Sequence, residues 1–295
     1  MILSHCIKSR VCALIALVAV TAIWGSTFIV VQNAVTQMPV MDFLGIRFAF
    51  AAIVMFALRP NCLKGMTRSR LIRSVVLGIL LGLGFITQTY GLLHTSAAIS
   101  GFITGMFVVL TPVVSWVILK RKTGKSIWGA VVIATIGLGL LSLRGWSMGI
   151  GELLTLLCAL FFALHIIGLG EWSARRDIYG LAVVQITVVA VISMAAATID
   201  GITLPPNATV WGAVILTAVF ATAIGFLVQT WAQSLIQPTR VAITMTMEPV
   251  FAGFFAVVIG GDHLTLRIII GATCVLIAMI ITGLKDTPHV RTLEP

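Results

Sequence analysis

Ten apolar runs, each close to the roughly 20 residues that cross a hydrocarbon core of about 30 Å, leave this chain little choice of fold. They fall near residues 11–32, 41–58, 72–92, 98–119, 127–143, 151–170, 179–199, 210–231, 241–260 and 267–284. Inside a bilayer every backbone N–H and C=O must be satisfied by the protein itself, and a run of this length does so as an α-helix. The links are short and the longest polar one, Arg59 to Arg73, leaves no room for a soluble domain. Only 9% of the residues are charged, against about 25% in soluble domains. The expected fold is therefore an all-α integral membrane bundle of ten transmembrane helices. Lys8 and Arg10 precede the first run, as in a secretory signal. The run from Val11 to Val31 is longer than a signal's core of about 7–15 residues, so a retained first helix is expected.

A net charge of +10 could suggest a nucleic-acid partner. The basic residues instead lie in short tracts between apolar runs, which is how cytoplasmic membrane loops are marked. With the N-terminus inside, 16 of the 19 Lys and Arg fall in Met1–Arg10, Arg59–Arg73, Lys120–Lys125, Arg175–Arg176, the turn at Arg240 and the C-terminal tail. That bias predicts N-in, C-in and an even number of helices, with no nucleic-acid role. Lys120-Arg121-Lys122 could attract anionic membrane lipid, although fixing topology is its ordinary role. Cys6, Cys12, Cys62, Cys158 and Cys274 are scattered without metal spacing, so neither a disulfide framework nor a metal is expected. Catalytic motifs and phosphate-binding loops are missing as well, so an enzyme and a cofactor are not expected.

The chain repeats itself weakly. Gly129-Ala130 and Gly271-Ala272 lie 142 residues apart, Pro112 and Pro249 137, and Trp24-Gly25 and Phe162-Ala163 138. Residues 11–143 and 150–284 are thus read as two five-helix repeats. Five is odd, so the second repeat enters the membrane inverted. Inverted repeats build carriers that open alternately to each side around a midplane site.

Several segments resemble the EamA-type transporters of the drug/metabolite transporter superfamily. They are A-I-W-G-S-T-F (Ala22–Phe28), G-I-R-F (Gly45–Phe48), T-S-A-A-I-S-G-F-I-T-G (Thr95–Gly105), P-T-R-V-A (Pro238–Ala242) and M-E-P-V-F (Met247–Phe251). Gly261–Thr265 is similar to that family's G-E-x-L-T, with Asp262 in place of Glu. The resemblance runs from Val11 to Leu284. It implies a ten-helix inner-membrane carrier of small organic metabolites, often an exporter of amino acids, related compounds or drug-like molecules. A lipid-handling flippase and an uncoupled facilitator or exchanger are the alternatives.

The candidate site residues are polar groups that are costly in lipid. Glu248 precedes Pro249 near the middle of the ninth run. An acid there usually faces protein or water. It could bind a proton or a substrate amine, pair with a base, or satisfy backbone freed by the proline, and the resemblance favours a packing role for the Glu-Pro pair. Arg47 could bind a substrate carboxylate, snorkel outward, or pair with Asp42. His165 reads as a packed histidine bonded to a helix carbonyl, or as a proton relay. Trp24 sits too deep for an interfacial belt, so it is expected to line a cavity beside Thr27. Gln88 and Gln229 should face the bundle, while Tyr90 and Trp231 read as interface anchors. Thr104 and Thr111 follow the Gly101–Gly105 helix face, and Thr244 precedes Glu248 by one turn. The glycine pairs Gly78/Gly82 and Gly101/Gly105 are expected to let helices approach closely.

Overall fold

The computed structural model describes residues 2–120, 124–144, 147–172, 178–235 and 244–285. Arg121, Lys122, Arg175, Arg176, Arg240 and the Pro238–Ala242 motif lie outside the described residues. The helices in chain order are α1 (Ile2–Val35), α2 (Val40–Leu58), α3 (Arg68–Leu92), α4 (Ala97–Gly105), α5 (Phe107–Leu119) and α6 (Lys125–Ser142). A two-residue hairpin follows, β1 (Leu143–Arg144) antiparallel to β2 (Ser147–Met148). Then come α7 (Ile150–Trp172), α8 (Ile178–Asp200), α9 (Ala208–Ile215), a π-helical segment (Leu216–Ile224), α10 (Gly225–Leu235), α11 (Met247–Val258) and α12 (Leu266–Lys285). Among the described residues seven helical spans are long and apolar enough to cross a membrane, and three more are shorter apolar helices. Among the described residues the hairpin is the one non-helical element, and the π segment the one departure from α geometry within the helices.

Local chemistry sets the helix ends. Ser96 accepts the amide of Ile99 at 3.3 Å, and Asn207 accepts that of Val210 at 3.0 Å, each side chain filling a donor that the first helical turn leaves open. Lys120 takes φ 54° and ends α5 in the left-handed conformation. The fourth and ninth runs are each interrupted. Met106 (φ −60°, ψ −14°) separates α4 from α5, and Thr246 (φ −65°, ψ −10°) caps the start of α11. The prolines are not where the helices break. Pro112 lies inside α5, and Pro249 occupies the first turn of α11, where its missing N–H costs nothing.

Glycine and alanine hold the helices together, because lipid removes most of the hydrophobic drive for helix association. A Cβ on Gly25 would stand 2.8 Å from the carbonyl oxygen of Glu248, so α1 and α11 meet backbone to backbone. Gly137 of α6 and Gly271 of α12 face each other in the same way. Gly78 meets Val188 of α8, Gly101 meets Ala252 of α11, and Gly105 meets Met279 of α12, as the small-residue spacing predicts. The pairs in contact are α6 with α12, α3 with α7 and α8, α2 with α8 and the π segment, α1 with α11 and α10, and α4 with α7 and α11. The core is a continuous column of Phe43, Leu44, Phe48, Ala51 and Met55 from α2 packed against Val183, Ile186 and Val189 from α8.

Candidate substrate chamber

Several side chains that face neighbouring helices in the middle of the bundle are only partly buried. They are Trp24, Phe85, Gln88, Phe162, Phe226 and Glu248. Their contacts join them into one cluster between the helices, the candidate chamber. Trp24 packs on Phe226 at 6.2 Å between ring centroids, and Phe85 meets Phe162 edge-on at 5.4 Å. Gln88, one turn beyond Phe85, donates its side-chain N–H to Thr104 at 3.2 Å. Cys158, one turn before Phe162, lies near Thr104 and Glu248. The walls thus come from α1, α3, α4, α7, α10 and α11.

Arg47 enters the chamber from α2 and is only 5% exposed. Its Nε and Nη2 both donate to Thr222 Oγ1, at 3.3 and 3.2 Å. The guanidinium lies 5.1 Å from the ring centres of both Phe48 and Phe85, which are themselves 4.9 Å apart, a cation–π arrangement with two adjacent rings. It does not snorkel and does not pair with Asp42. Asp42 accepts the amide of Thr203 at 2.6 Å, because five residues along a helix put the two side chains on different faces. Thr222 belongs to the π segment, and its hydroxyl donates to Thr217 O five residues back, the carbonyl that π geometry presents to it. The hydroxyl can therefore only accept from Arg47.

Glu248 lies in the first turn of α11 and is partly buried. Among the described residues its carboxylate makes no hydrogen bond and no ion pair, and the Cys158 thiol is its recorded neighbour. It neither patches the backbone near Pro249 nor neutralises Arg47. Arg47 lies seven residues into α2, about 10 Å from that end at 1.5 Å per residue. Glu248 lies ten residues from the far end of α11, about 15 Å. Gly260, just past that end, packs on Ile29 of α1, so both depths are measured from the same side. Among the described residues no contact joins the two charges.

The remaining candidates divide. Trp24 lines the chamber as expected and also donates Nε1–H to the carbonyl of Ala221 in the π segment at 2.7 Å. Gln88 and Thr104 belong to the chamber wall. Thr27 and Thr111 bond back to their own helices, at Trp24 O (2.6 Å) and Phe107 O (2.7 Å). Gln229 reaches only the sulfur of Met245, at 3.8 Å. Thr244 is buried and partnered. His165 bonds the side chain of Gln185 on α8 rather than a helix carbonyl, and Gln185 in turn donates to Leu181 O at 3.2 Å. Tyr90 and Trp231 are exposed. Three residues have a place here that sequence reasoning missed: Thr222, Cys158 and Glu152. Glu152 is 2% exposed at the start of α7 and accepts the hydroxyl of Thr95 at 2.9 Å. An acid in the first turn of a helix is the signal that could have drawn attention to it. Among the described residues no three His, Cys, Asp or Glu come together as metal ligands would.

The apolar spans define a polytopic helical membrane protein, and the family comparison makes it a transporter rather than an enzyme. The sequence profile of the EamA-like transporter family matches residues 11–143 and again residues 149–284. The chain belongs to the EamA-like transporter family, and so to the drug/metabolite transporter superfamily. It is 34% identical over 277 residues to an uncharacterized transporter of Archaeoglobus fulgidus, covering 94% of this chain and 87% of that one. It is 23% identical to the uncharacterized transporter YoaV of Bacillus subtilis, over 88% of this chain and 92% of the relative. A solved crystal structure shares the fold with a TM-score of 0.64 at 16% identity, covering 92% of this chain and 96% of that one.

Proposed function

We propose that the protein is a secondary transporter that exports a small organic metabolite across the plasma membrane. Two inverted five-helix halves would rock around the central chamber. The observation that carries this reading is the pair of charged side chains, Arg47 and Glu248, in one half-open chamber between the halves with no ion pair to either among the described residues. Buried charges left without counter-ions are expensive, and a moving, charged cargo gives them a purpose that packing does not.

The packing pattern supports the inverted repeat. Exchanging the two halves turns the α3–α7 contact into α1–α10, α3–α8 into α2 with the π segment, and α1–α11 into α7 with α4. The pairs α2–α8, α4–α11 and α6–α12 each join counterpart helices. The interruptions at Met106 and Thr246 fall within one turn of each other when Pro112 is set on Pro249, with nearly the same backbone angles. Both halves supply the chamber, which suits alternating access. The basic loops favour N-in and C-in.

Glu248 is the group we assign to proton coupling. A carboxyl without a fixed partner can take and release a proton as the chamber changes sides. His165, bound to Gln185, is left to structure. The substrate is to be found by a resistance screen in overexpressing cells, followed by counterflow in proteoliposomes. Saturable counterflow is the expected outcome, and flux near the diffusion rate with no saturation would instead make the protein a pore. Glu248→Gln should abolish the stimulation of transport by a pH gradient while counterflow at equal pH persists. Undiminished pH-driven transport by that variant would exclude the coupling role and favour an uncoupled exchanger.

A further inference from the structure

We infer that the cargo is a monocarboxylate whose flat or apolar body lies along the wall formed by Phe85 and Phe162, with its carboxylate held by Arg47. This rests on the transporter reading above and specifies its substrate class.

The guanidinium is permanently charged and carries five N–H donors in a planar fork. Phe48 and Phe85 lie beside it, each ring centre 5.1 Å from the guanidinium carbon and 4.9 Å from the other. Two of its nitrogens converge on one neutral hydroxyl at 3.3 and 3.2 Å, well beyond the roughly 2.7–2.9 Å of a charge-assisted bond. The rest of the fork has no partner among the described residues. The nearby acids are unavailable: Asp42 is bonded to the amide of Thr203 and Glu152 to Thr95. Glu248 does not reach it. No described residue supplies the missing anion, and the cargo is the source this inference assigns to it.

Its chemical class follows from what surrounds the fork. Phe85 passes the aromatic wall on to Phe162 at 5.4 Å, a surface for a planar or apolar body. Among the residues whose burial is described, Arg47 is the one buried Lys or Arg. One guanidinium matches a single carboxylate, whereas a phosphate dianion would call for a second cation. Glu248, deeper in the same chamber, repels a second carboxylate and so selects against dicarboxylates.

The test uses the purified full-length protein in detergent and three isosteric probes, 3-phenylpropanoate, 3-phenylpropanamide and 3-phenylpropylamine, with binding read by calorimetry. The acid should bind at least about tenfold more tightly than the amide, equivalent to about 1.4 kcal/mol, and the amine more weakly than either. Arg47→Gln should erase the acid-over-amide preference, and Arg47→Lys should retain part of it. If Arg47→Gln does not fold, Thr222→Val should still weaken acid binding severalfold while leaving the amide unchanged. The inference is overturned if the amide or amine matches the acid, if none of the three binds at millimolar concentration, or if the preference survives in whichever variant folds. Binding here needs no membrane. A protein that prefers the acid but gives no counterflow would refute the transport reading alone, whereas counterflow of amines or neutral solutes would refute this inference alone.

Discussion

Most polar side chains in the bundle spend their hydrogen bonds on the backbone. Gln32 donates to the carbonyls of Leu92 and Thr95 at 2.9 and 2.8 Å, tying α1 to the turn between α3 and α4. Trp24 does the same for Ala221. Such bonds are structural, and removing one should act on stability more than on transport. Trp24→Phe keeps the ring against Phe226 but loses the Nε1–H. It should lower stability by about 1 kcal/mol, read from denaturant unfolding in detergent, with transport retained. Arg47 and Glu248 are different, since among the described residues neither has an ionic partner. Both were legible in the sequence because a charge inside an apolar run stands out against its neighbours. Thr222 and Cys158 were not, since a threonine or cysteine among apolar residues says nothing about which way its helix face turns. His165 was half legible: its burial followed from its neighbours, but Gln185 is twenty residues away on another helix.

At the scale of elements, the close helix crossings decide the fold. A methyl on Gly25 would meet Cβ of Phe251 at 2.6 Å, the amide of Ala252 at 2.7 Å and the carbonyl of Glu248 at 2.8 Å. Two of these are backbone atoms that cannot move alone. Gly25→Ala should therefore destabilise the protein by about 3 kcal/mol and push α11 away from α1, displacing Glu248. A Cβ on Gly129, on the exposed face of α6, meets nothing within 4 Å. Gly129→Ala should be neutral or stabilising by up to about 1 kcal/mol. Thermal unfolding of the two variants side by side checks both. The spans themselves could be read from apolar run length, and the close crossings from glycine spacing. The π segment could not, because nothing in Leu216–Ile224 distinguishes a π from an α register until Trp24 and Arg47 press on it from other helices. The position of the ninth-run interruption was missed for a related reason. A proline in the first helical turn leaves its helix intact, so Pro249 marks the neighbourhood of the break at Thr246 and not the break.

For the molecule as a whole, the sequence carried the architecture further than the chemistry. Run lengths, the placement of Lys and Arg, and landmarks 137 to 142 residues apart led to ten helices in two related halves, and the family profile matches once in each half. What the chamber binds depends on side chains from six helices meeting in space, which no local pattern encodes. The central claim is that this chamber opens to each side of the membrane in turn. Gln88 is the reporter to use, since it is half-buried in the chamber wall and its bond to Thr104 joins helices of one half only. In a cysteine-free protein reconstituted into vesicles, Gln88→Cys would be challenged with a membrane-impermeant maleimide, added outside in one sample and enclosed in the other. Alternation requires modification from both faces, with bound substrate changing the two rates in opposite directions. Modification from one face only, unmoved by substrate or by a pH gradient, would contradict it.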